Sequence, residues 1–304
     1  PKIEVYEIGK NESLVKFSNI VENEYNKVFL DRLKGSQDSF DLKIIGGRSH
    51  CMHCAKKLSW YELIPILSFL IQLSKCRNCG QKLSFQYPLI EFLTGLIFVL
   101  VPYSIINSQW FIFKTAQLPG YLAVDYLIIA IWLAIFLIFL LLSIIDFRHY
   151  IIPDRINLSL AFLGIILMVI KFLSQWSMSQ WSFIKHYSLM FGSIDNIWFN
   201  HFFAAFIGMA FFGLIIILTK GKAMGWGDFK LIGALGLIFG WPDILMIIFG
   251  SFVIGTIFVL PLLVKRQKTM KDIVPFGPFL IVASALVFFF GYNIINGYFQ
   301  LFNL

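Results

Sequence analysis

The chain has 304 residues, of which 58% are hydrophobic and 14% charged, and its mean hydropathy is +0.78. Soluble domains are about 45–50% apolar and about 25% charged, so this composition excludes an ordinary soluble enzyme and indicates a membrane protein. The net charge of +8 would suit a nucleic-acid-binding protein, but the basic residues fall mainly on one side of long apolar stretches, which argues against a nucleic-acid partner.

Six apolar stretches are long enough to cross a bilayer, which takes about 20 residues. They occupy residues 88–106, 122–145, 157–173, 200–219, 243–264 and 277–298. A further apolar run, 229–240, is too short to cross unless it is tilted or buried among other helices. The sequence therefore predicts an all-α polytopic membrane protein with about seven transmembrane helices.

The distribution of Lys and Arg gives the expected orientation, because basic residues remain on the cytoplasmic side of short loops. With residues 1–87 inside, the short loops 146–156, 219–230 and 265–272 carry nine basic residues, against three in the segments that would lie outside. This arrangement requires 229–240 to cross the membrane, so the charge asymmetry favours a seventh helix.

The four cysteines of the chain form two Cys-x-x-Cys pairs, Cys51 with Cys54 and Cys76 with Cys79. Each pair puts two thiolates on one tight turn, and two such turns complete a tetrahedral zinc site. Gly80 follows the second pair, where a knuckle needs a residue with positive φ. Four thiolates leave no open position for water, so the expected zinc is structural.

Other interpretations of the cysteines are two disulfides or four free thiols, and a reducing cytoplasm disfavours the disulfides. His50 and His53 flank Cys51 and are possible substitute ligands. The apolar residues 60–73 between the pairs are too short to span and form an interfacial or packed segment. The predicted domains are an amphipathic cytoplasmic insertion (1–47), the four-cysteine zinc module (48–87) and a transmembrane core (88–304).

Three aspartates lie at the cytoplasmic ends of predicted helices, where a carboxylate is costly and therefore of interest. They are Asp146, Asp154 and Asp228, the last within Gly225-Trp226-Gly227-Asp228. Two carboxylates brought together share a proton, so that one activates water while the other polarises a peptide carbonyl. Structural alternatives remain: Asp154 and Asp228 are placed to cap helices, and Asp146 to pair with Arg148 or to extend to the lipid headgroups.

Several motifs in order resemble the bacterial type IV prepilin peptidases. They are the segments Arg48-Ser49-His50-Cys51 through Cys54, Leu58 to Pro65, Cys76-Arg77 through Cys79, Tyr87-Pro88-Leu89 with Glu91, Asp146 with Pro153-Asp154, Gly225 to Lys230, and Pro275-Phe276-Gly277-Pro278-Phe279. The resemblance covers about residues 40–298. Members of this family begin with a further transmembrane helix, which is missing from the sequence as given.

The resemblance implies a bifunctional enzyme of the bacterial inner membrane, with its active site at the cytoplasmic face. Such enzymes cut a short leader after glycine from prepilins of type IV pili and from pseudopilins of type II secretion. They then methylate the new N-terminus with S-adenosylmethionine. The two catalytic aspartates of the family occupy the positions of Asp146 and Asp228, and Gly225 and Gly227 belong to the catalytic loop.

The methyltransferase activity has a weaker basis in the residues, because no Gly-x-Gly-x-x-Gly motif follows a strand. Glu91 and Gly95 lie at the start of the first span, and a buried glutamate there is a candidate for holding the substrate amine; the alternative is a carboxylate at headgroup level. Two other functions stay open. One is a catalytically silent scaffold of a pilus or secretion system, and the other an archaeal-type preflagellin peptidase, which generally lacks the four-cysteine module.

Overall fold

The computed structural model describes residues 49–51, 54, 56–107, 119–173, 182–192, 194–221, 224–265 and 274–301. The predicted insertion, 1–47, lies outside the described residues. The chain divides into two compact units, Pro1–Ser84 and Phe85–Leu304. The described residues form helices and isolated bridges but no strand, which confirms the predicted all-α class.

In the first unit, a 3₁₀ turn, Trp60–Leu63, and a short helix, α1 (Leu67–Ile71), lie between the two cysteine pairs. The Ser59 backbone N–H donates to Glu62 Oε2 at 2.8 Å, and the two residues form a capping box. This bond fixes the start of the turn because it gives an otherwise unpaired donor a partner.

Besides one 3₁₀ helix (Lys185–Phe191), the second unit contains seven α-helices among its described residues. They are α2 (Gln86–Asn107), α3 (Pro119–His149), α4 (Asp154–Leu173), α5 (Ile197–Thr219), α6 (Trp226–Phe239), α7 (Asp243–Val264) and α8 (Gly277–Leu301). All except α6 are long and apolar enough to cross a membrane. The chain is therefore a multi-pass membrane protein, as its sequence predicts.

The short helix α6 packs mainly against α4 and α5, and most of its side chains are buried. Glycines permit this close approach. A methyl group added at Gly236 would lie 2.4 Å from Ala205 Cα, and one added at Gly164 would lie 3.1 Å from Ile238. Small residues at such contacts allow helices in a membrane to pack backbone against backbone. The run 229–240 thus forms a helix buried among its neighbours, one of the two expectations for it.

Buried polar side chains hold the C-terminal end of α6. The Asn200 amide donates to the Trp241 carbonyl at 3.0 Å and accepts from the Trp241 N–H at 2.8 Å. Beside it, Asp243 at the start of α7 accepts from the Ser182 hydroxyl at 3.0 Å and from the Phe183 N–H at 3.1 Å. These bonds satisfy polar groups that would otherwise be costly in an apolar core, and they tether α6 at the end opposite Asp228.

Candidate active site

Asp146 and Asp228 line one cleft of about 480 Å³ in the transmembrane unit. Asp146 lies in the last turn of α3, and Asp228 in the first turn of α6. Their side chains are 4% and 8% exposed, and they are close enough to interact electrostatically. The fold therefore brings together two carboxyl groups that are 82 positions apart in the sequence.

One oxygen of each carboxyl group is buried without a hydrogen-bond partner among the described residues: Oδ2 of Asp146 and Oδ1 of Asp228. Gly277 contacts the Asp146 carboxyl group through its backbone, and Gly225 does so for Asp228. Buried polar groups are nearly always paired, and an unpaired one calls for an explanation such as a catalytic role. The two oxygens therefore have hydrogen-bonding capacity that the described residues leave unused.

Glycines surround the aspartates because there is no room for a side chain. A methyl group added at Gly277 would lie 2.6 Å from Asp146 Oδ2 and 3.2 Å from Ile152 Cδ1. One added at Gly227 would lie 3.0 Å from Ile152 Cβ. Ile152 therefore packs between the two glycines, in the segment that connects α3 to α4.

An ion pair lies at the open side of the cleft. Lys230 Nζ is 2.7 Å from Asp154 Oδ1, and the two side chains are 48% and 71% exposed. Tyr150, Ile151 and Trp226 also line the cleft, and all three are exposed. The opening thus combines apolar and aromatic surface with one exposed ion pair, whereas the two catalytic candidates lie deeper.

The structure does not support the capping alternatives for these aspartates. Helix α6 begins at Trp226 with the extended Gly225 as its N-cap, so Asp228 lies inside the first turn. Asp154 is the first residue of α4, and its side chain pairs with Lys230 instead. Arg148 donates to Gln86 rather than to Asp146. No such role accounts for the burial of Asp146 and Asp228.

The four cysteines of the first unit bring their Sγ atoms within 4.8 Å of one another. Cys51 Sγ is 3.9 Å from Cys79 Sγ, and Cys54 Sγ is 4.0 Å from Cys76 Sγ. Zn–S bonds of about 2.3 Å in a tetrahedron separate neighbouring sulfurs by about 3.8 Å, whereas a disulfide requires about 2.05 Å. The four thiols fit a tetrahedral metal ion and are not disulfide-bonded.

The two cysteine turns have the same backbone design. The Cys51 N–H donates to the Lys56 carbonyl and the Cys76 N–H to the Gln81 carbonyl, both at 2.9 Å. A bridge closes each turn, between His50 and Lys57 and between Lys75 and Lys82. Gly80 adopts φ +68°, as expected for a knuckle glycine. Hydrogen bonds from the Lys56 backbone and the Asn78 side chain lower the pKa of Cys54, whereas the pKa of Cys79 in the same cluster is raised, so without a metal the thiols do not all ionise together.

Glu91 and Gly95 lie one turn apart on α2, and both are exposed. Glu91 is therefore not buried among the described residues, and its assignment to the methyltransferase activity stays a prediction. A methyl group added at Gly95 would meet no other atom within 4 Å, so this glycine is not required by packing among the described residues.

Two family models match the chain. The model of the bacterial peptidase A24 N-terminal domain matches residues 16–105, and that of the type IV leader peptidase family matches 131–260. A protein of Xanthomonas campestris pv. campestris is 32% identical over 82% of this chain and 75% of its own length. The chain belongs to the type IV leader peptidase family. It is therefore an enzyme, which sets aside the silent scaffold.

Two other relatives cover the chain to a similar extent. A Legionella pneumophila protein is 28% identical over 86% of this chain and 79% of its own length. A Bacillus subtilis protein is 26% identical over 88% of this chain and 91% of its own length. These two and the Xanthomonas protein are each named prepilin leader peptidase/N-methyltransferase. No solved structure matches the chain.

Three residues in the cleft or packed against its aspartates could not be assigned roles from the sequence. Gly277 belongs to a motif of the resemblance, but only the fold places it against Asp146. Ile152 is an apolar residue among many, and its position between Gly227 and Gly277 carries no local signal. Lys230 follows Asp228 by two positions and its pairing with Asp154 depends on the packing of α4 against α6.

Proposed function

We propose that this chain cleaves the leader peptide of type IV prepilins and pseudopilins after glycine, with Asp146 and Asp228 as the catalytic pair. The observation that carries the proposal is the pair of buried carboxyl groups in one cleft, each with an oxygen free of hydrogen bonds from the described residues. The names of the relatives supply the substrate class.

Two neighbouring carboxyl groups divide the work of peptide hydrolysis. Like charges a few Å apart do not both ionise readily, so the pair holds one proton. The ionised carboxylate removes a proton from water, and the oxygen of that water attacks the peptide carbonyl carbon. The protonated carboxyl donates a hydrogen bond to the carbonyl oxygen, which carries the negative charge of the tetrahedral intermediate while the pair holds two protons. When the C–N bond breaks, a carboxyl returns a proton to the leaving amine, and the pair again holds one proton.

The position of the aspartates at helix ends suits a substrate with a short leader and a membrane helix. The bilayer holds the substrate helix, and the junction between leader and helix extends into the cleft. A peptide bond within a helix is shielded and hydrogen-bonded, so the junction must unwind before it is cut. A substrate glycine before the bond that is cut favours unwinding, because glycine is a poor helix former. Gly225 and Gly227 of the enzyme lack side chains, so the enzyme backbone can approach the substrate backbone closely.

The same chain methylates the new N-terminus with S-adenosylmethionine in this proposal. Glu91 and Gly95, exposed on α2, remain the candidates for this activity. Cys51, Cys54, Cys76 and Cys79 hold a structural Zn²⁺, which crosslinks the two turns of the first unit. The cysteine module favours the bifunctional enzyme over the archaeal type. The protein lies in the bacterial inner membrane, with the zinc module and the two active-site aspartates at the cytoplasmic face.

Mass spectrometry of a prepilin co-expressed with this chain tests both activities. The expected product has lost its leader after glycine and has gained the mass of one methyl group. A cleaved product without the added methyl group would support a peptidase alone, as in the archaeal type. An uncleaved prepilin in membranes that contain the folded, inserted protein would contradict the proposed substrate class.

A further inference from the structure

The segment between the two cysteine pairs exposes an unusual number of large apolar side chains. We call it the apolar patch, and it comprises Trp60, Leu63, Leu67, Leu70, Ile71 and Leu73. Trp60 is 76% exposed, Leu70 61% and Leu73 80%. These residues lie within one short stretch that holds the 3₁₀ turn and α1, so the patch is continuous along the chain.

Exposed apolar side chains on the long helices α2–α5, α7 and α8 have an evident explanation, because those helices face lipid. The apolar patch lies outside all of these candidate spans. Continuous apolar patches are uncommon on surfaces that face water, and they mark contacts with a protein, a ligand or a membrane. The 3₁₀ turn and α1 contain no buried residue, so the segment places its apolar side chains on its own outer surface.

Basic residues flank the apolar patch on both sides in the sequence. Lys56 and Lys57 precede it, Lys75, Arg77 and Lys82 follow it, and all five are exposed. The Arg77 guanidinium lies 5.2 Å from the ring centre of Tyr61, next to Trp60. Within residues 49–84 the single acidic side chain is Glu62, which accepts a hydrogen bond from the Ser59 N–H.

Aromatic and aliphatic side chains bordered by lysine and arginine are the composition of a segment that lies in a membrane interface. Trp and Tyr favour the headgroup region, and basic residues bind the negative surface of anionic lipids. The chain enters α2, a candidate span, at Gln86, shortly after Leu73. The bilayer surface is therefore within reach of the patch.

We propose that the apolar patch inserts into the headgroup region of the bilayer and that Lys56, Lys57, Lys75 and Lys82 bind anionic lipid headgroups there. The cysteine module is then a peripheral membrane domain in its own right, docked on phospholipid. The proposal concerns this surface alone and does not depend on which substrate the cleft cuts.

Site-specific photocrosslinking of the full-length protein in nanodiscs tests the contact. The nanodiscs contain phosphatidylcholine and phosphatidylglycerol in equal amounts, and benzoylphenylalanine replaces Leu70. A matched control carries the same group at Gln81, an exposed residue of the same module. Zinc content and prepilin cleavage are measured for both variants, so a misfolded module or an inactive cleft is recognised separately.

The proposal predicts lipid adducts at position 70 several times more abundant than at position 81. One basic residue near an anionic surface favours it about fivefold, so phosphatidylglycerol adducts should exceed phosphatidylcholine adducts at least about fivefold. The quadruple change Lys56→Gln, Lys57→Gln, Lys75→Gln and Lys82→Gln should bring that ratio close to one.

Three results would contradict the proposal, the first two as a whole and the third in its assignment of the four lysines. Crosslinks from position 70 to peptides of the protein itself, without lipid adducts, would show that the patch is an internal contact. Lipid adducts of equal abundance at positions 70 and 81 would show that the patch has no preferred contact with the bilayer. A phosphatidylglycerol preference that survives the quadruple change would overturn the assignment of the four lysines.

Discussion

Replacing Gly277 with alanine should displace the Asp146 carboxyl group. The added methyl group would lie 2.6 Å from Asp146 Oδ2, 3.3 Å from its Cγ and 3.2 Å from Ile152 Cδ1. Real contacts of this kind essentially never fall below 3.0 Å, so the carboxyl group must move. Overpacking typically costs about 1–3 kcal/mol. If the strain falls on the catalytic geometry, kcat/KM should drop about 5- to 150-fold, because about 1.4 kcal/mol corresponds to a factor of ten.

The assay follows the size shift of a prepilin with the purified variant in proteoliposomes. Gly297→Ala is the matched control, because Gly297 lies in the same helix, α8, and an added methyl group there meets nothing within 4 Å. It should cleave as fast as the unmodified enzyme. Cleavage by Gly277→Ala within twofold of that control, with an unchanged unfolding temperature, would refute the placement of Gly277 against a catalytic carboxyl group.

Four further outcomes are expected. Gly236→Val should prevent stable folding, seen as loss of monodisperse protein in detergent, because even its Cβ would lie 2.4 Å from Ala205 Cα. Gly227→Val should insert normally but lose prepilin cleavage, since its Cβ would lie 3.0 Å from Ile152 Cβ; full cleavage would show that the start of α6 has no part in catalysis. Purified protein should contain about one zinc per chain by elemental analysis, and Cys51→Ser should lose it. Lys230→Met should change the free energy of unfolding by less than about 1 kcal/mol, because its ion pair is exposed.

The long helices could be predicted from the sequence because lipid imposes a length and a composition on each of them. The predicted 243–264 coincides with α7, Asp243–Val264. The prediction of where α6 starts is less accurate: the expected run begins at residue 229, whereas the helix begins at Trp226. Gly227, which packs against Ile152, lies in the first turn of this helix, although the glycines of the segment suggest a loop.

The candidate site could be predicted in its residues but not in its geometry. The free-energy cost of a carboxylate near the membrane and the order of the motifs along the chain indicated Asp146 and Asp228. The spacing of the cysteines indicated a metal site. The contact of Gly277 with Asp146 joins α8 to α3, and no local pattern encodes such a distant pairing. The exposure of Glu91 was also not predictable, because it depends on which face of α2 the other helices cover.

The central claim is that Asp146 and Asp228 together hydrolyse the substrate, and the most direct measurement replaces each by asparagine. Asparagine keeps the shape of the side chain but cannot exchange a proton. Single-turnover cleavage of a prepilin in proteoliposomes should fall at least about 100-fold for Asp146→Asn and for Asp228→Asn. Asp154→Asn, at the exposed side of the same cleft, should stay within a few-fold of the unmodified enzyme. Near-normal cleavage by either of the first two variants would contradict the two-aspartate mechanism.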